Sequence, residues 1–277
     1  MTDRPHVRPA AKIALVYLAF SVLWILLSDR LVGWASLEPE AESWVQSVKG
    51  LGFVLASAAL LYVLTHRYLL RADRTAAQLR DAYDQTLVGW AAALDIRDHS
   101  TGEHTARVTD LTVALAERFD ISGDELEDLR RGATLHDIGK MAVPDTVLAK
   151  TGPLTDEEWA LIRQHPDMAV RMLAGIGFLE PALAIPWCHH ERWDGGGYPR
   201  GLAGTDMPFP ARPFAVVDVY DALTSERIYR EPILMEAALA HIEAGSGTHF
   251  DPAIVPEFTA LMRERRAAGL VDDGGRL

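Results

Sequence analysis

Residues 105–119 read TARVTDLTVALAERF. Val108, Leu111, Leu115 and Phe119 recur every three or four positions, which is one face of an α-helix. The same period continues downstream. Ser122-Gly-Asp-Glu125, a serine with glutamate three residues on, predicts a capped helix start before Leu126, Leu129 and Ala133. Thr155-Asp-Glu-Glu158 predicts another start, with acidic residues in its first turn. Pro144, Pro166, Pro181, Pro208 and Pro210 punctuate the pattern, and no long alternating run marks a strand. The carboxy-terminal part, 92–277, is expected to be an all-α domain of about seven to nine helices.

Toward the amino terminus the pattern changes. Residues 13–28 (IALVYLAFSVLWILLS) and 50–66 (GLGFVLASAALLYVLTH) hold no charged side chain, taking histidine as neutral. Each covers about 24–26 Å as a helix, against a hydrocarbon core of roughly 30 Å. Lys12, Arg30, Lys49 and Arg67 can snorkel at the ends, and Trp24, Trp34, Trp44 and Tyr68 suit the interfaces. Two transmembrane helices are expected, at about 12–32 and 48–70 within a membrane segment 1–70. Gly33-Trp34-Ala35 loosely fits a signal cleavage site, but Asp29, Arg30 and the second apolar run argue against cleavage. Arg4, Arg8 and Lys12 precede the first span, and Arg67, Arg71, Arg74 and Arg80 follow the second. The connection carries Glu38, Glu40 and Glu42. Both termini and the domain are therefore expected on the cytoplasmic side, with an external loop of about 20 residues. A loop that short cannot fold as a sensor domain.

Residues 71–91 are expected to be a helical linker. No proline or glycine pair interrupts 71–97, and Leu79, Tyr83, Leu87, Trp90 and Leu94 form a stripe. The stripe suits a homodimer seam, or, for its second half, the first helix of the domain.

The chain has 277 residues, room for about two domains. It carries 27 basic and 39 acidic side chains, a net −12 that argues against a nucleic-acid polymer as partner. The charge is uneven: net +1 over 1–90 and −13 over 91–277. The single cysteine, Cys188, excludes an internal disulfide and a cysteine-rich zinc site. Ten histidines are the better lead, because imidazole is the commonest transition-metal ligand.

His136-Asp137 ends a predicted helix before Ile138-Gly139-Lys140. Alone, such a pair is more often a capping or ion-paired histidine. Its company changes the balance: His104 on the helix before, His165, the double His189-His190, and Asp218 with Asp221 one turn on. Imidazole with carboxylate suits Fe, Mn, Ni or Zn. The set exceeds what one ion needs and includes an aspartate able to bridge, which points to two metals and a phosphate ester substrate. Lys140, Arg227 and Arg230 supply cations for an anionic substrate, although each arginine taken singly is more often a surface salt bridge. Asp194-Gly-Gly-Gly-Tyr198-Pro199 is a glycine-rich loop but not a P-loop, since no Gly-Lys-Ser/Thr follows. It borders the metal candidates or is an ordinary surface loop.

Taken together, these stretches resemble the HD-GYP domain, a bacterial branch of the HD phosphohydrolase superfamily that hydrolyses cyclic di-GMP. The likeness rests on His136-Asp-Ile-Gly-Lys140 and on His189-His-Glu-Arg-Trp-Asp-Gly-Gly-Gly-Tyr-Pro199. It extends through Arg97-Asp98, Pro144-Asp145, Leu148-Ala-Lys150, Asp218-Val-Tyr-Asp-Ala-Leu223 and Thr248-His-Phe-Asp251. WILLSDRL and VKGLGFVLASAALLYVL also resemble a two-span unit found ahead of bacterial signalling domains.

The resemblance implies an all-α HD-type bundle for 92–277 and a membrane-anchored phosphodiesterase at the bacterial inner membrane. It would cut cyclic di-GMP to pGpG, and further to GMP, by a hydroxide activated between two divalent ions. The ligands implied are His136, Asp137, His165, His189, His190 and Asp218, with Asp137 bridging and His104 added as in some members. Asp137 and Lys140 are the implied catalytic residues. Lys140, Arg227, Arg230, Tyr198 and Asp221 are the expected substrate contacts. Iron or manganese is the expected metal, with nickel and zinc as alternatives. Members with a third metal carry glutamate four residues before the first histidine; that position is Ser100, which favours two metals. The usual proline after Arg227 is replaced by Ile228, which should loosen a turn more than alter chemistry. The alternatives are a silent module that binds cyclic di-GMP or a partner such as a diguanylate cyclase, and a phosphohydrolase of another nucleotide.

Overall fold

A computed structural model describes residues 7–35, 38–98, 104–226, 231–272 and 274–275. The chain divides into two units, Met1–Ala82 and Tyr83–Leu277, and the boundary falls inside one helix. Among the described residues there is no strand, only two isolated bridges, Asp194 with Ala203 and Ser246 with Phe250.

The first unit holds α1, Val7–Trp34, and the beginning of α2, Pro39–Arg97. Both are long and apolar enough to cross a membrane. Phe20 stacks on Phe53 at 6.1 Å, Trp24 tilts against Phe53, and Lys49 pairs with Asp29. Leu15, Leu18, Leu51 and Leu55 face outward. The connection differs from the expected loop of about 20 residues. Pro39 opens α2 directly, with Glu40 and Glu42 in its first turn. Proline at the first helical position and acids beside the helix dipole both favour helix there.

The second unit begins on the last turns of α2. The stripe read from sequence splits here. Leu87, Ala91 and Leu94 are buried in the domain, whereas Tyr83 and Trp90 stay exposed. Nine helices follow among the described residues: α3 (His104–Glu117), α4 (Gly123–Thr134), α5 (Asp145–Leu148), α6 (Asp156–Ile162), α7 (His165–Leu173), α8 (Ala184–Cys188), α9 (Ala211–Thr224), α10 (Met235–Ala244) and α11 (Ile254–Ala267). The cap expected at Ser122 does not form. Ser122 has the extended backbone of a cap, but its side chain bonds no backbone N–H, and Gly123, the first residue of α4, has φ +60°. At Thr155 the reciprocal cap with Glu158 is complete.

Val108, Leu111 and Leu115 of α3 join Leu129, Phe214, Val217, Leu239 and Phe258 in the larger core. A smaller core gathers Leu87, Leu135, Ile138, Ala169, Leu173 and Leu179. Helix α9 is buried on nearly every side, which explains why AVVDVYDAL shows no amphipathic stripe. It carries Asp218 and Asp221 between apolar neighbours.

Candidate metal centre

The site assembles where α4 ends. Leu135 closes α4, and His136-Asp137 leads into a 3₁₀ turn, Ile138–Ala142. This turn lies directly against α7. A Cβ on Gly139 would overlap the His165 carbonyl oxygen and come within 2.6 Å of the Ala169 nitrogen. Only glycine permits that approach, and the approach brings Asp137 to His165. Arg97, the last residue of α2, braces the turn from behind. It donates to the carbonyls of Met141 at 3.0 Å and Val143 at 2.6 Å.

Two groups of three potential ligands result. In the first, the ligand atoms of His165, His189 and His190 lie within 4.8 Å of one another; in the second, those of His104, His136 and Asp218 do. Asp137 stands against both. Its Oδ1 is 3.4 Å from His165 Nε2 and 3.9 Å from His189 Nε2. Its Oδ2 is 3.1 Å from His136 Nε2. The ring of Phe214, one turn before Asp218, packs on His136 at 4.9 Å.

The backbone sets the tautomers. His136, His165 and His189 each donate Nδ1–H to a carbonyl three or four residues earlier, at Ala133, Ile162 and Ile185. Each therefore turns Nε2 into the site, the usual arrangement behind a metal-bound histidine. His165 Nε2 and His189 Nε2 are only 3.2 Å apart. With both Nδ1 atoms protonated, two lone pairs face each other, a geometry relieved by a cation between them. Burial holds His165 and His189 below the usual histidine range and takes His190 down to about 4. Neutral imidazoles are what metal binding requires. His136 differs: burial lowers it, but the carboxylates of Asp137 and Asp218 outweigh this and raise it to about 9. Asp137 is held well below the carboxylate range because Lys140 and His136 overcome the effect of burial. The donors thus suit divalent metal: each group offers three ligand atoms, and Asp137 faces both groups.

The other expected site residues fall as follows. Lys140 Nζ lies 2.9 Å from Asp137 and 2.9 Å from Asp98, and these carboxylates raise its pKa against burial. Tyr198 stacks on His190 at 4.7 Å, and burial pushes its hydroxyl up to about 12, so it remains an O–H donor. Asp221 is buried behind His104 and bonded to it, away from any open face where a substrate would meet it. Burial raises its pKa, but His104 and Arg107 bring it down to about 2. Arg227, Arg230 and Ser100 lie outside the described residues.

Sequence reasoning assigned no role to four residues that the geometry brings to the site. Asp98 pairs with Lys140. Arg107 grips Asp221, and its position three residues after His104 was the available signal. Arg163 lies 5.8 Å from the Tyr198 ring. Glu191, fully buried, accepts the backbone N–H groups of Arg200 at 2.7 Å and Leu202 at 3.0 Å. It closes the loop that carries Tyr198. Gly197 has no room for a Cβ, which would sit 2.5 Å from the His190 carbonyl oxygen.

Known proteins resemble this chain in sequence and in fold. A "Cyclic di-GMP phosphodiesterase" of Vibrio cholerae is 38% identical over 214 residues, which cover 72% of this chain and 44% of that protein. The "Cyclic di-GMP phosphodiesterase response regulator RpfG" of Xanthomonas campestris is 41% identical over 183 residues, 65% of this chain and 48% of its own. The chain thus spans just under half the length of these curated relatives. The crystal structure of a cyclic GMP-AMP specific phosphodiesterase from V. cholerae superposes with a TM-score of 0.53 at 22% identity, over 66% of this chain and 49% of that one, a likeness of fold. The family model described as HD domain matches residues 91–254, from the last turns of α2 to the start of α11, and enclosing every described ligand candidate. The chain belongs to the HD domain family.

Proposed function

We propose that this chain is a membrane-anchored phosphodiesterase of the HD-GYP type that hydrolyses cyclic di-GMP. The observation that carries the proposal is the pair of three-ligand groups placed on either side of Asp137, with Lys140 against the same carboxylate. The names of the curated relatives support the substrate.

Hydrolysis adds water across one phosphodiester. A bond forms between the water oxygen and phosphorus, the P–O bond to the sugar breaks, and the sugar oxygen takes up a proton. Divalent ions held by the two groups would supply Lewis acidity and lower the pKa of the attacking water. His165, His189 and His190 would hold one ion and His104, His136 and Asp218 the other, with the Asp137 carboxylate facing both groups. Lys140, beside the same carboxylate, would meet the non-bridging oxygens as their charge grows. Tyr198 borders the substrate and donates its O–H. Arg227 and Arg230 contact phosphate. The first product is pGpG and the second GMP. Iron or manganese suits this donor set, which contains no thiolate.

The apolar α1 and the first part of α2 anchor the protein in a bacterial inner membrane, with the domain cytoplasmic. The outward leucines of both helices support this assignment, since a protein in water seldom exposes so continuous an apolar surface. Tyr83 and Trp90, exposed on α2, are available to a second copy.

The test uses the full chain in detergent, loaded with Mn²⁺ or anaerobically with Fe²⁺. It is offered cyclic di-GMP, 3′3′-cyclic GMP-AMP and cyclic di-AMP, and products are separated by chromatography. Conversion of cyclic di-GMP to pGpG, abolished in a His136→Ala, Asp137→Ala double variant, is the expected result. Preference for another dinucleotide would reassign the substrate. Two bound ions without turnover of any would make the chain a binding module.

A further inference from the structure

His104 is held differently from the other ligand candidates. It is the first residue of α3. His136, His165 and His189 each rest Nδ1 on a carbonyl of their own segment. The partner of His104 comes instead from another helix: its Nδ1 lies 2.6 Å from Asp221 Oδ2 on α9.

Two pairs at helical spacing meet here. His104 and Arg107 share one face of α3; Asp218 and Asp221 share one face of α9. His104 Nε2 faces Asp218 Oδ1 at 3.6 Å, within the second ligand group. Arg107 Nε donates to Asp221 Oδ1 at 2.6 Å, and its Nη2 reaches Asp221 Oδ2 at 3.1 Å and Ser225 Oγ at 2.8 Å. The carboxylate is thus held by a two-pronged arginine on one side and the imidazole on the other. An anion at Nδ1 fixes that proton, leaves Nε2 bare, and makes the ring a stronger donor to a cation.

We propose that Asp221 and Arg107 are positioning residues for one half of the metal centre: Asp221 aims His104 Nε2 at the ion shared with His136 and Asp218, and Arg107 orients Asp221. The proposal rests on the two-ion reading of the site. It gives Asp221 a task behind the ligands instead of the substrate contact that the sequence suggested.

The test is a titration of the full chain in detergent with Mn²⁺, followed by equilibrium dialysis and electron paramagnetic resonance. The wild-type protein should bind two ions that are magnetically coupled. Asp221→Asn should keep one ion and bind the other about 10–100-fold more weakly. Its spectrum should shift to isolated Mn²⁺. Arg107→Ala should move in the same direction, and Arg107→Lys should recover part of the loss; these two also serve if Asp221→Asn does not fold. A purely structural link between α3 and α9 would lower the melting temperature while leaving both affinities and the spectrum as in wild type. That outcome overturns the proposal. Fewer than two ions on the wild-type chain overturns the two-ion reading itself, and with it the proposal, before any variant is compared. Absence of cyclic di-GMP turnover leaves the ion measurements intact, so failure of the substrate assignment remains distinguishable.

Discussion

Replacing Gly139 with alanine adds one methyl group at the contact that assembles the centre. The new Cβ would overlap the His165 carbonyl oxygen and sit 2.6 Å from the Ala169 nitrogen and 2.8 Å from the His165 carbonyl carbon. These are backbone atoms at the start of α7 and have no rotamer to change. The 3₁₀ turn and α7 must separate by about 1 Å, an overpacking that costs roughly 1–3 kcal/mol. At about 2–4 °C per kcal/mol for a domain of this size, the melting temperature should fall by roughly 2–12 °C. The same displacement moves Asp137 away from His165 and His189, and misplacement on that scale costs about 100-fold in rate. Thermal unfolding, Mn²⁺ titration and hydrolysis of cyclic di-GMP measure the three effects. Gly152→Ala is the control, because its Cβ meets nothing within 4 Å. If Gly139→Ala matched that control in all three assays, close approach of the turn to α7 would not be what builds the site.

Glu191→Gln keeps the size of the side chain but turns an amide N–H₂ toward the N–H of Arg200 or Leu202. Losing one charge-assisted bond should destabilise the protein by about 1.5–3 kcal/mol. Limited proteolysis should then cut the 194–203 loop faster than in wild type. Phe258→Ala empties a fully buried site in the larger core and should cost about 3–5 kcal/mol in denaturant melts. After chelator treatment, stability should fall with acid. His190 is displaced from 6.5 to about 4 in the folded chain, so the unfolded chain binds the extra proton and the loss runs between those values. His165 and His189 act in the same direction. A melting temperature unchanged between pH 7 and 4 would contradict the burial of these imidazoles.

Local signals carried much of the sequence reading. The period of Val108, Leu111 and Leu115 is a property of one helix, and all three are buried as that period requires. His136-Asp137 beside Gly139 could be recognised because the helix end, the ligands and the close-packing glycine are contiguous. What escaped was set by distant partners or by one backbone angle. Leu87 and Trp90 belong to the same stripe, but only the folded domain decides which of them it covers. Ser122 has the residue type of a cap, but next to the positive φ of Gly123 its side chain makes no capping bond. Asp221 looks like an available carboxylate until Arg107, 114 residues away, is brought to it.

The two ligand groups also differ in the length of chain that each must close. His165 and His189 are 24 residues apart, whereas His104 and Asp221 are separated by 117. The entropy of closing a loop grows with the logarithm of its length, so the longer closure costs about 1.4 kcal/mol more. Contacts between near neighbours in sequence also tend to form earlier. Loop closure thus favours completing the histidine trio before α9 reaches α3. A newly made chain halted at that stage would already offer a nitrogen site for one ion, and the second would wait for the long-range pairing of α9 with α3.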